Sequence, residues 1–564
     1  MLLQVSLGPS VSTGVTFSRL LSIAALCAAL PAVASAHPAG PVAPDVSYQW
    51  GEEEKPTYSE AMSALPEPAF EKGPCTEEAR QSMPAGEGHD HLDPLQHQFA
   101  CGMVQVAFDS LEVELAERPD VTLGEMDVKG DLAVVAVAYP ESGFLLFDVS
   151  DPAQPGFLSW YRSAQCEGVA VDVDCGAFVD LSPDGQYVFI SKQQISAVHT
   201  SLGTEVIGTL PADYPGIEVV DISNRKRPLL RQALPQPSVG GVHTTRSFEV
   251  PASGGPGPRE PGTYTVSVAN SVGAAINKVG PGGLLTPVGL IEMDELHDTF
   301  IQQDPILDRT LLYIAGGFDS GFYVYDITAP STPVGLGEWD ITPECANDWY
   351  AHTIDVTTVD GRRVVTMPVE LIDFFGEQSE ADQAEGCGVL QGNGDHAGPL
   401  FIVDATDLST LGPIDPTDSE EEETAGGVMK QRSEETLITT WSNAAGRAGG
   451  ELTFSAHKQQ IVGDKIYLSG YHSGVTVLDA SSAFRGENVR PRELAFALPS
   501  NPETRPIPED QPGVVLGQFF TSFIDYRPLV WDMTFHKGHL LVPDMTGGMS
   551  SYQETKPRRG RRPR

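Results

Sequence analysis

The chain has 564 residues, 77 of them acidic and 35 basic, for a net charge of −42 at pH 7. Such an excess of negative charge repels nucleic acid, favours solubility and attracts cations, and it does not name a fold. With 57 glycines, 45 prolines and 40% hydrophobic residues, the composition provides many tight turns and enough apolar side chain for a core, which predicts an all-β chain with few helices.

Residues 1–36 carry Arg19, an apolar run and the small-residue ending Ala34-Ser35-Ala36, the pattern of a secretory signal cleaved before His37. Cys27 follows Leu26, which is too large for a lipoprotein site. Removing Arg19 leaves 34 basic residues against 77 acidic ones. No other stretch offers the ~18 apolar residues of a spanning helix, so the expectation is a soluble monomer exported to the periplasm or beyond the cell. Residues 37–101 form a leader rich in Pro, Glu and Gly that contains His89, His91 and His97. Six cysteines remain after cleavage, and in an exported chain they are expected as disulfides between sequence neighbours: Cys75 with Cys101, Cys166 with Cys175, Cys345 with Cys387. This is one of 15 connectivities open to six cysteines. None has C-x-x-C spacing, which speaks against a thiolate metal site.

From residue 102 to 553 one phrase recurs: an apolar strand opened by Gly, an Asp, a turn, then another strand. It reads GFLLFDVSDPAQPGFLSWY from Gly143, GIEVVDISNRKRPLL from Gly216, GFYVYDITAPSTPVGLGEW from Gly321, GPLFIVDATDLSTLGPI from Gly398 and GVTVLDASSAF from Gly474. Asp148, Asp221, Asp326, Asp404 and Asp479 lie 73, 105, 78 and 75 residues apart, so insertions separate copies of one unit. Each Asp can accept a backbone N–H two residues on, in an Asx turn that ends the strand, and its role is structural.

Units that cannot bury their own faces must stack on one another. Seven are counted, with six or eight as alternatives, beginning near Glu125, Ala177, Gly241, Leu296, Ala351, Phe454 and Met533, with the fifth ending near Ile414 and the seventh short of a strand. A ring closes if an early segment, Val104 to Leu115, supplies that outer strand, which removes two exposed edges. The stretches from Pro251, Asp418 and Pro499 read as loops, and residues 554–564 as a basic disordered tail.

The phrases GDLAVVAVAYPESGFLLFDVSDPAQPG from Gly130 and GDKIYLSGYHSGVTVLDAS from Gly463 resemble the LVIVD repeat, a β-propeller repeat of secreted and surface proteins of bacteria and archaea. The resemblance covers residues 102–553 and implies a propeller, here of seven blades, in an extracellular place. It brings no firm activity. Ser223-Asn224-Arg225-Lys226 departs from the S-D-P turn of the repeat.

A second feature recurs at the start of a unit's first strand: His243, His297, His352, His457 and His536. The first strand of each blade lines the central channel, so these five rings are expected to converge there. Imidazole suits Zn, Cu or Fe, and three or four convergent rings make a metal site; the alternative is plain channel lining. Asp298, Asp355 and Asp532 are candidates to orient the rings. His472, the His89–His91 pair and an N-terminal His37 are weaker candidates. No G-x-S-x-G, P-loop or H-E-x-x-H occurs, which sets aside common hydrolase and nucleotide sites. Two functions follow as expectations: an extracellular scaffold that binds a protein, glycan or cell-surface component, or a metal-dependent oxidoreductase or hydrolase centred on the channel histidines.

Overall fold

The computed structural model describes residues 99–555, apart from residues 117–120, 140–141, 164–175, 194–214, 236–240, 270–271, 294–295, 318–320, 341–349, 371–398, 413, 415–432, 434, 442–455, 472, 500–528 and 546. Seven antiparallel sheets succeed one another along it. They are blade 1 (residues 122–162), blade 2 (176–235), blade 3 (242–291), blade 4 (299–340), blade 5 (350–441), blade 6 (459–498) and blade 7 (534–554). Blade 4 shows the plan: Thr299–Asp304, Arg309–Ala315, Gly321–Asp326 and Val334–Asp340 pair in sequence order. Its third strand, GFYVYD, is buried through Tyr325, as suits a strand packed on both faces.

Seven apolar clusters fill the seven spaces between successive blades. Blades 4 and 5 meet through Phe322, Trp339, Val365 and Phe401. Blades 7 and 1 meet through Leu541, Met549, Met126 and Phe147, which closes the ring. Each such side chain contributes about 1.5–3 kcal/mol on burial. The molecule is therefore a seven-bladed β-propeller.

Closure follows the expectation. Blade 7 takes its fourth strand from the N-terminal side: Met103–Asp109 pairs with Gly548–Glu554. Phe99–Cys101, inside the stretch read as leader, adds a fifth strand outside blade 6, with Cys101 opposite Phe496. Gly102 turns the chain from one blade to the next with φ of +71°, and a Cβ there would meet Ala495 Cβ and Leu494 O at 2.7 Å.

Both parts of the recurring phrase have a physical cause. The Asp side chains all form Asx turns, Asp148 to Ser150 N (2.9 Å), Asp221 to Ser223 N (2.9 Å), Asp326 to Thr328 N (2.9 Å), Asp404 to Thr406 N (3.0 Å) and Asp479 to Ser481 N (3.2 Å). The opening Gly lies against the fourth strand: a Cβ on Gly143, Gly321 or Gly474 would stand 2.1–2.2 Å from a carbonyl oxygen of that strand.

Blade 5 differs from the sequence reading. Its fourth strand is Leu437–Trp441, beyond the acidic run, not a segment ending near Ile414. The β-branched run LITTW has the stronger strand character. The earlier segment instead forms a short turn, Leu408–Thr410, and Gly412 exchanges backbone bonds of 3.0 and 2.8 Å with Glu338 of blade 4.

Cys101 lies in a strand, and the other six cysteines, with His37, His89, His91, His97 and His472, lie outside the described residues. No described helix is long and apolar enough to cross a membrane.

Candidate metal centre on the propeller axis

In four successive blades a histidine stands at the entry to the inner strand, within it at His243 and two or three residues before it at His297, His352 and His457. His243, His297, His352 and His457 are all buried. Their rings follow one another round the axis at centroid spacings of 4.0, 4.0 and 3.8 Å. Main-chain carbonyls orient them. His297 Nδ1 lies 2.7 Å from His352 O, His352 Nδ1 2.8 Å from His457 O, and His457 Nδ1 2.7 Å from Trp531 O. A carbonyl accepts only, so each Nδ1 carries the proton and each Nε2 keeps a lone pair.

His536 does not join them. It sits at the far end of its strand, opposite His539 in the hairpin of blade 7, next to Lys537, Asp131 and Val149. Trp531 takes the ring position of blade 7, since Asp532 bonds Met533 N at 2.6 Å as Asp298 bonds Thr299 N at 2.7 Å. Blade 2 contributes Phe178, 4.3 Å from His243 and 5.7 Å from Trp531, and with His457–Trp531 at 5.5 Å six rings form a closed circle.

Asp298, Asp355 and Asp532 are placed otherwise than expected, because the carbonyls already orient the imidazoles. Asp355 accepts Ile461 N of blade 6 at 2.6 Å, and Asp532 accepts Met126 N of blade 1 at 2.8 Å. Asp127 to Leu181 N (2.8 Å) and Asp180 to Ser247 N (2.9 Å) repeat this clasp between neighbouring inner strands. Burial raises the Asp355 and Asp532 carboxyls to about 7.

Asp298 belongs to an ionic layer one step further along the inner strands. Arg246 of blade 3 holds Glu125 of blade 1 with two bonds, 2.9 and 3.0 Å, and Asp298 of blade 4 at 2.7 Å. Lys458 of blade 6 reaches the same two acids at 2.8 and 3.4 Å. Burial works to raise the Glu125 carboxyl, but Arg246 and Lys458 outweigh it and hold it well below the usual carboxylate range.

The group that the sequence did not reveal is Glu370, at the end of the second strand of blade 5 and 7% exposed. Its Oε2 lies 3.5 Å from His352 Nε2 and its Oε1 3.7 Å from His457 Nε2. Burial pushes its carboxyl up to about 8. Burial also drives the four imidazoles down, His297 to about 4 and His243, His352 and His457 well below the ordinary value. At pH 7 all four rings are therefore neutral, the state in which imidazole binds a metal.

The donor set fits a first-row transition ion. His297, His352 and Glu370 each offer an atom, all within 4.8 Å of one another, and His457 Nε2 has no hydrogen-bond partner. Donors about 2.0–2.2 Å from one tetrahedral ion stand roughly 3.3–3.6 Å apart, a range that includes the His352–Glu370 separation of 3.5 Å.

No family model matches the chain, and no curated protein matches it. Solved structures similar to it include Sqt1 of Saccharomyces cerevisiae, at 9% identity and a TM-score of 0.39 over 78% of this chain and 97% of that one. The WD40 β-propeller domain of Doa1 has 8% identity and a TM-score of 0.39 over 78% and 94%. A protein from Lactobacillus plantarum has 10% identity and a TM-score of 0.38 over 67% and 88%.

Proposed function

We propose that this chain is a metal-dependent β-propeller protein in which His297, His352, His457 and Glu370, flanked by His243, hold one Zn, Cu or Fe ion on the axis, and that it acts as an oxidoreductase or hydrolase. The observation that carries the reading is that Nδ1 of His297, His352 and His457 is committed to a carbonyl of the next blade, while Nε2 of His352 and His457 lies 3.5 and 3.7 Å from one buried carboxyl. That is the outer arrangement by which proteins fix imidazole ligands. A bound ion would polarise a substrate or a water, or exchange electrons if it is Cu or Fe. The competing reading, an extracellular scaffold of the LVIVD type, draws on the repeated frame but gives no account of Glu370 beside an unpartnered His457 Nε2. We place the protein outside the cytoplasm on the character of residues 1–36.

Elemental analysis of the purified full-length chain tests the proposal. The expectation is about one equivalent of metal per chain, kept through dialysis, lost in a His297→Ala, His352→Ala double variant and bound more weakly, but still measurably, in Glu370→Gln. Metal below about a tenth of an equivalent after exposure to each of the three ions overturns it. So does metal content that neither variant changes.

A further inference from the structure

We infer that Tyr471 is a positioning residue that presents Glu370 to the metal through one oxygen, Oε2, by holding the other. The inference rests on the metal centre proposed above and deepens it.

Tyr471 follows the second strand of blade 6 and carries an unusual backbone for a bulky residue, with φ of +50°. Left-handed φ crowds the Cβ of an aromatic residue, so the surroundings must impose it. Two backbone bonds to Val530, in the segment that leads into blade 7, do this, Tyr471 N to Val530 O at 2.9 Å and Val530 N to Tyr471 O at 3.1 Å. Gly474 N closes the turn onto Tyr471 O at 3.0 Å. The conformation directs the side chain back over the histidines. Its ring stands edge-on to His457 at 4.9 Å, and its hydroxyl donates to Glu370 Oε1. The side chain is 6% exposed, so water does not compete freely for that oxygen.

The two carboxylate oxygens are therefore unequal. Oε1 accepts the hydrogen bond of the phenol O–H, while Oε2 faces His352 Nε2 at 3.5 Å. A carboxylate tied at one oxygen binds an ion through the other, where an untethered one can chelate with both. Backbone strain kept at one residue that reaches a ligand from the neighbouring blade is a form in which strain serves a site.

The test uses the full-length chain loaded with Cu(II), read by its ligand-field absorption band and by competition with a chelator. Tyr471→Phe is expected to shift the band and weaken Cu(II) binding about 10- to 100-fold, the usual scale for removing a residue that orients a ligand. In a Glu370→Gln background the same substitution should add no further change, because the oxygen it positions is no longer a carboxylate. Replacement of Tyr471 by 3-fluorotyrosine keeps the ring and hydroxyl in place and strengthens the donor; it should shift the band even if Tyr471→Phe fails to fold. A Tyr471→Phe chain with an unaltered band and affinity overturns the inference and leaves the metal centre standing. Equal effects of Tyr471→Phe with and without Glu370→Gln overturn it too. A wild-type chain that binds no Cu(II), Zn or Fe removes both.

Discussion

Blades 3 to 6 and blades 7, 1 and 2 share one frame and differ on the axis. The first arc sets four neutral imidazoles side by side; the second sets Trp531 and Phe178 in the same circle of rings and sends Glu125 into the ionic layer. Yet the strand order, the Asx turn and the close-packed glycine recur on both sides, at Gly143 and Asp148 of blade 1 as at Gly321 and Asp326 of blade 4. The frame is set by backbone demands that each blade meets alone. The axis is set by side chains from several blades that act together, so its composition differs from blade to blade while the strand order does not.

Three measurements probe that contrast. The largest effect is expected where the arcs are tied together. Glu125 is the carboxylate through which blade 1 holds both Arg246 and Lys458, and Glu125→Gln leaves these two partly buried cations sharing Asp298, at a cost of about 2–4 kcal/mol in urea unfolding. A loss under about 1 kcal/mol would show that the two arcs hold together without the network. Next in size, Gly143→Ala and Gly321→Ala each force a Cβ against a carbonyl oxygen, 2.1 Å away in one and 2.2 Å in the other. Each should lower stability by about 1–3 kcal/mol, and by the same amount within error. Unequal costs would mean that the frame is not common to both arcs. The smallest effect is expected from Phe178→Leu in the arc that puts no histidine into the circle of rings. Metal content should stay at the wild-type level and stability should fall by less than about 1.5 kcal/mol. Loss of metal there would make the whole circle, not one arc, the site.

The comparison also explains what the sequence could show. The Asx turns of Asp148, Asp221, Asp326, Asp404 and Asp479 were legible because each is satisfied within two residues of chain. The axial place of His243, His297, His352 and His457 was legible because each stands at the entry to an inner strand. His536 followed the same pattern in letters, in MTFHKG, but lies five residues past Trp531, which holds the ring position. Glu370 and Tyr471 were not legible. Each ends or follows a second strand in a single blade, and their meeting depends on a 101-residue separation closed by the ring. The fourth strand of blade 5 was hidden for a related reason, since the acidic insertion moved it away from its repeat.

Gln105 bonds Ser550 across 445 residues of chain, and the strand that holds it pairs along its length with the C-terminal strand. The order of synthesis therefore runs opposite to the order of completion. Met103–Asp109 leaves the ribosome first among the strands of blade 7 and stays without its partner until Gly548–Glu554 has been made. Closing so long a loop adds only slowly to the entropic cost, which grows with the logarithm of its length, but it delays the final step until the whole chain is present. Until Gly548–Glu554 is in place, blade 7 lacks the strand that Met103–Asp109 pairs with and the space where Leu541 and Met549 meet Met126 and Phe147 stays open.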